Sequence, residues 1–221
     1  MIRLKEYNKD EQKISFISDM PIGLANAIRR SVLDIPIMAI DEVEFIKNDS
    51  ALYDEIIAHR LGLVPIKTEK TSREIKFKLK EQGPKTIYST DLSPDTGTNL
   101  KLPIVILDQN QELEIVAEAR LGKGSEHVKY SPGLLYYKSN LDDDILEFVH
   151  VDREGKVNYD EEELKRKNVP DEKIKEIKKL NKINEIIMYI ESWGQLEVRD
   201  VFLKAIKALS DNLKELDKAV K

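Results

Sequence analysis

The chain has 221 residues, a net charge of −5 and no cysteine. Disulfides, thiolate metal sites and cysteine nucleophiles are therefore excluded, and the acidic balance argues against an autonomous nucleic-acid binder. No run approaches the ~18 apolar residues of a membrane span, and the opening MIRLKEYNKDEQK carries no apolar signal core, so a cytoplasmic protein of one or two domains is expected.

Residues 1–18 predict a hairpin: Ile2 and Leu4 alternate with charges, and Ile14, Phe16 and Ile17 follow a polar turn. A helix comes next. Pro21 suits its first turn, Leu24, Ala25, Ile28 and Val32 fall at helical spacing, and Pro36 ends it. Asn26, Arg29 and Arg30 lie on the other side. A helix this short must pack its apolar stripe on something.

Residues 37–47 predict a strand with imperfect alternation, Met38, Ile40 and Phe45 being apolar amid Asp41, Glu42 and Glu44. Residues 52–61 predict a second helix with Leu52, Ile56 and Ile57 inward, Ser50 as N-cap and Gly62 as stop. From Glu74 to Leu121 the period is two, which predicts a β-rich unit. Residues 120–132 predict a loop of a length that is usually functional when not disordered. A strand is expected over 145–151. A Glu- and Lys-dominated stretch follows over 160–182, with Leu164, Ile174, Ile177 and Leu180 as its sparse apolar residues and Pro170 between two short helices. A strand over 183–191 precedes a long terminal helix. Its apolar positions Val198, Phe202, Ala205, Leu209, Leu213, Leu216 and Val220 form a heptad-like seam.

The inventory offers little catalysis. His59, His127 and His150 are not spaced as a zinc motif. GKGSE at 122–126 lacks the spacer and the GK[ST] ending of a phosphate loop. The acidic triplet 142–144 is a charged turn or, less simply, a magnesium site. Arg29 and Arg30 read either as a solvated face or as partner recognition through fixed guanidinium forks. Glu126, His127, Lys129 and Tyr130 read either as an ordinary surface loop or as a docking loop, with Tyr130, Tyr136 and Tyr137 as aromatic anchors.

Four stretches in order carry a resemblance: GLANAIRRSVLDIPIMAIDEV at 23–43, DEIIAHRLGLVPI at 54–66, ARLGKGSEHVKYSPGLLYY at 119–137 and YIESWG at 189–194. The chain resembles the D subunit of archaeal RNA polymerase, a family related to the third-largest eukaryotic subunit and to bacterial alpha. The resemblance implies an α+β fold. A dimerisation domain is built from both chain ends, 1–37 and 183–221, around a β-rich insert at 38–150, with a charged helical insertion at 151–182. It implies a non-catalytic assembly platform for a nucleotidyltransferase whose metal site lies in a larger subunit. The implied partners are the small subunit L, then N and P and the two largest subunits, with no direct DNA binding and no membrane. The implied dimer interface is Leu24, Ala25, Ile28 and Val32 with Phe202, Ala205, Leu209 and Leu213, and the implied docking residues are Arg29, Arg30, Glu126, His127, Lys129 and Tyr130. Many members hold an iron–sulfur cluster where 151–182 lies here; without cysteine no cofactor is expected. Family members often carry tryptophan where Tyr130 stands. The alternative from another class is a free-standing α+β enzyme acting on a small metabolite.

Overall fold

A computed structural model describes residues 2–69, 73–98, 100–141, 145, 147–152, 156–167, 169–179 and 185–221. The acidic triplet 142–144, Leu180 and the first residues of the strand expected from 183 lie outside the described residues. The chain divides into two compact units, Met1–Arg30 with Leu135–Glu191, and Ser31–Leu134 with Ser192–Lys221. This grouping differs from the expected one: the terminal helix belongs with the middle of the chain, not with the N-terminal hairpin.

The first unit is built on a four-stranded sheet. Strands β1 (Ile2–Asn8) and β2 (Lys13–Ser18) form the expected hairpin. The late strand β11 (Ile186–Ser192) pairs antiparallel with β2, and β8 (Gly133–Ser139) closes the order β1-β2-β11-β8. One face is apolar, with Phe16 opposite Met188 and Ile14 opposite Ile190. Helix α1 (Ile22–Ser31) begins as Pro21 predicts, the Ala25 amide donating to the Pro21 carbonyl at 3.0 Å. In the charged insertion, helices α3 (Glu161–Arg166) and α4 (Asp171–Lys179) flank Pro170 as expected. They bury Leu164 and Ile177 in a small cluster with Ile145 and Val169. The strand expected over 145–151 is only β9 (His150–Val151), paired with β10 (Val157–Asn158); Ile145 is spent on the cluster instead.

The second unit has the larger core. Strands β3 (Ile37–Asn48), β7 (Glu112–Gly122) and β4 (Ile75–Gln82) form an antiparallel sheet in the order β3-β7-β4. Strands β5 (Lys85–Tyr88) and β6 (Pro103–Leu107) make a second, two-stranded one. Phe77, Leu79, Leu113, Ile115, Ala117 and Ala119 turn inward at period two. The solvent face carries an ion ladder, Lys80 to Glu114 at 2.7 Å and Lys47 to Glu112 at 2.9 Å. Such exposed pairs add little individually.

Helix α2 (Asp54–Gly62) inserts Ile57 and Leu61 into this core. It starts two residues later than expected. Ser50 is not its cap: the hydroxyl is engaged by the Asn48 side chain at 2.7 Å, and Tyr53 occupies the N-cap position. With Ile57 and Leu61, four residues apart, facing the core, the neighbouring Ile56 turns outward and is exposed. The terminal helix α5 (Val198–Val220) packs on the 3-10 turn Val32–Asp34, and Asn212 donates to the Asp34 carboxylate at 3.2 Å. Among the described residues, no helix is long and apolar enough to cross a membrane.

Candidate functional site

Two features of the second unit draw on the residues singled out above. The first is helix α5, 23 residues and about 34 Å long at 1.5 Å per residue. Its first half carries two adjoining apolar stripes. Val198, Val201 and Ala205 are buried within the chain. Phe202, Ile206, Leu209, Leu213, Leu216 and Val220 follow steps of four, three, four, three and four, which is a strict heptad seam. Phe202 and Leu209 are half-buried, and Ile206, Leu213, Leu216 and Val220 are exposed. The expected seam ran through Ala205, which is fully buried, and passed over Ile206. Ala205 is therefore corrected from interface to core. The missed Ile206 was marked by its heptad spacing.

On the opening helix the expected interface stripe divides in the same way. Ala25, Ile28 and Val32 are buried within the chain, and only Leu24 is exposed. Leu33, at the turn that α5 packs on, is exposed beside them in sequence and was not singled out. Arg29 and Arg30 are both exposed. The Arg29 guanidinium donates to the Asn26 side-chain oxygen from Nε at 3.2 Å and from Nη2 at 3.0 Å, which lays its fork along the helix.

The second feature is the segment after β7. It is shorter than expected, because β7 runs to Gly122 and a 3-10 turn occupies Val128–Tyr130. Its organiser is Asp41, which in the sequence is one of three strand charges with Glu42 and Glu44. In β3, Ile40 pairs with Ala119 and Glu42 with Glu118, so Asp41 is the extra residue of a β-bulge. A bulge re-aims its side chain and shifts the alternation that follows. Inward positions accordingly change from Met38 and Ile40 to Val43 and Phe45, which is why the strand's pattern looked imperfect.

The re-aimed carboxylate collects three donors: Arg120 Nε at 2.5 Å, the Tyr130 hydroxyl at 3.0 Å, and the Lys129 ammonium in a short contact. Burial by itself would raise the Asp41 pKa; the bonds from Lys129, Tyr130 and Arg120 outweigh it and hold the group at about 2. Burial, then the Asp41 bond, pushes the Tyr130 phenol up. Tyr130 is buried and its ring fills the space over Gly122. Tyr130, buried, and Lys129, partly buried, are thus tied to Asp41 within this unit, whereas the docking reading expects them to face a partner. Glu126 and His127 remain exposed. His127 Nδ1 accepts from the Lys129 amide at 3.2 Å and so caps the turn. Of the other two tyrosines, Tyr136 is exposed and stacks on Tyr189, with ring centroids 4.8 Å apart, and Tyr137 is half-buried.

No group of three or more His, Cys, Asp or Glu side chains is placed to hold a metal ion among the described residues. The arrangement is one of surfaces: a helix with an uncovered apolar seam, and a loop pinned from below that exposes Glu126, His127 and the apolar Val128.

Comparison with known proteins points the same way. Residues 16–213 match the family model described as the RNA polymerase Rpb3/Rpb11 dimerisation domain. A DNA-directed RNA polymerase subunit Rpo3 of Thermococcus kodakarensis is 42% identical over 154 residues, covering 62% of this chain and 60% of that protein. The Methanocaldococcus jannaschii subunit of the same name is 39% identical over 158 residues, covering 68% of this chain and 83% of its own length. The Halobacterium salinarum subunit is 29% identical over 235 residues, covering 96% of this chain and 95% of its own. The match spans about three fifths of the Thermococcus and Pyrococcus relatives, at 60%, 60% and 59% of their lengths.

Proposed function

The chain belongs to the RNA polymerase Rpb3/Rpb11 dimerisation family, and from that premise we propose that it is a non-catalytic assembly subunit of a DNA-directed RNA polymerase. Its first partner is the small L subunit, and the pair then recruits N, P and the two largest subunits. The observation that carries this reading is the uncovered seam of α5. Burying a Leu, Ile or Val side chain is worth roughly 1.5–3 kcal/mol, and Ile206, Leu213, Leu216 and Val220 are exposed in the single chain. A partner helix presenting the same period would cover them as a coiled-coil-like pair. Leu24 and Leu33 add exposed apolar surface on the opening segment. The exposed Arg29, Arg30, Glu126 and His127 suit polar contacts with larger subunits.

The chain carries no cysteine, so the insertion that replaces the family's cluster unit relies on packing of Leu164, Ile177, Ile145 and Val169. The free-standing enzyme alternative has no support in the family match. The deciding experiment mixes the purified chain with the small L subunit and measures mass by light scattering after gel filtration. A one-to-one complex is expected. Two separate monomers at micromolar concentration would overturn the proposal.

A further inference from the structure

The four-stranded sheet of the first unit has a second face that the assembly reading does not use. Because side chains alternate along a strand, residues paired across strands share a face. Glu6 pairs with Ser15, and Ser15 with Tyr189. Tyr136, on the next strand, stacks on Tyr189 with an interplanar angle of 8°. A carboxylate, a hydroxyl and a phenol ring therefore stand in register across β1, β2 and β11, and the ring stack extends the row to Tyr136 on β8. One step along the same face, Lys13 pairs with Glu191. These residues line an open cleft of about 240 Å³.

Three observations define what the cleft lacks. Ser15 is buried at 4% exposure, and its Oγ has no hydrogen-bond partner. A buried hydroxyl left unpaired is costly, and this one lines the cleft. Glu6 is exposed on one side of it. Glu191 on the other is held only loosely, 3.9 Å from Lys13 Nζ, which sits closer to Glu11 at 3.1 Å. The floor is aromatic. Two carboxylates, Glu6 and Glu191, against the single ammonium of Lys13 leave the cleft net negative and favour a cation. An apolar occupant would leave Ser15 Oγ unpaired. A guanidinium meets each demand: it is planar and stacks on aromatic faces, and its five N–H donors fork toward carboxylates. With strands about 4.8 Å apart, Glu6 and Tyr189 lie one strand either side of Ser15, within the span of one such group.

We propose that this cleft is a docking site for an arginine side chain carried by a partner polypeptide, with the guanidinium against Tyr189, whose ring is backed by Tyr136, its N–H groups donating to Glu6 and Glu191, and one donating to Ser15 Oγ. The site is separate from the α5 seam and does not depend on it.

The test follows tyrosine ring resonances of the full chain by NMR at low ionic strength while acetyl-Gly-Arg-Gly-amide is added. The Tyr136 and Tyr189 signals should shift saturably, and acetyl-Gly-Lys-Gly-amide should bind several-fold more weakly. Glu6→Gln with Glu191→Gln should weaken the arginine peptide at least tenfold. Ser15→Ala should weaken it about threefold, the order expected for one lost hydrogen bond. Unshifted rings, equal affinity for the lysine peptide, or unchanged affinity in the carboxylate variant would each overturn the proposal. An unchanged thermal midpoint in each variant separates a lost site from a lost fold; should the double variant unfold, Glu6→Gln alone carries the same comparison.

Discussion

The ring of Tyr130 lies across the backbone of Gly122, so closely that a Cβ placed on Gly122 would fall 2.5 Å from the ring carbon Cζ. The ring has nowhere to go, because it is buried and its hydroxyl is tied to Asp41 at 3.0 Å. Gly122→Ala should therefore destabilise the second unit by about 1–3 kcal/mol, the usual cost of overpacking. Urea unfolding measures it, and a loss under about 0.5 kcal/mol, the range of an inconsequential surface change, would mean that the ring yields.

Asp41 gives the fold an acid limit. Its pKa is held at about 2 in the folded chain, against about 3.9 in an unfolded one. A depressed carboxylate pKa contributes stability that is fully present above the unfolded value and is lost as pH falls toward the folded one. The contribution is on the order of 2 kcal/mol near neutral pH and should disappear between about pH 4 and pH 2. Asp41→Asn should lower stability at pH 7 by a similar amount and flatten the pH dependence in that window. Parallel curves for the two proteins would show that the cluster is not the source.

The α5 stripes make opposite predictions for neighbouring residues. Leu213→Glu changes an exposed side chain, so the chain should fold within about 0.5 kcal/mol of wild type and fail to co-elute with the small L subunit. Ala205→Glu places a charge at a fully buried position and should cost several kcal/mol in folding itself. Co-elution of Leu213→Glu at wild-type affinity would move the interface elsewhere.

Among the described residues, the charged insertion packs Leu164, Val169 and Ile177 with Ile145 in a small buried cluster, with partly buried side chains such as Phe148, Tyr159 and Ile174 against it. So small a cluster should open more readily than the core around β7. Leu164→Ala should remove about 2–5 kcal/mol of local packing and speed amide exchange in α3 and α4 while α5 keeps its protection. Uniform acceleration across the chain would mean that the insertion unfolds only with the rest.

A chain without cysteine has no thiolate for an iron–sulfur cluster. The purified protein should show no visible charge-transfer absorbance and no stoichiometric iron by elemental assay. Iron at one or more atoms per chain would contradict it.

The hairpin, the opening helix after Pro21, the strands of the middle stretch, the two short helices around Pro170 and the terminal helix were all legible from periodicity and punctuation, because those signals are local. So were the four motifs that carried the family resemblance. What periodicity gives is a face, and it does not say what covers that face. In α5 two apolar stripes adjoin, and only the packing of the helix on the Val32–Asp34 turn decided that Val201 and Ala205 go inside while Ile206 and Leu213 stay out. In β3 one extra residue at Asp41 reversed the alternation, which no count of apolar residues announces. That bulge aimed a carboxylate at partners 79, 88 and 89 positions further on, at Arg120, Lys129 and Tyr130. Those three residues stand in a glycine-flanked stretch that reads as an exposed loop. The sequence determined which elements form and where their apolar stripes lie; long-range pairing decided which stripe is spent on the fold and which is left for a partner.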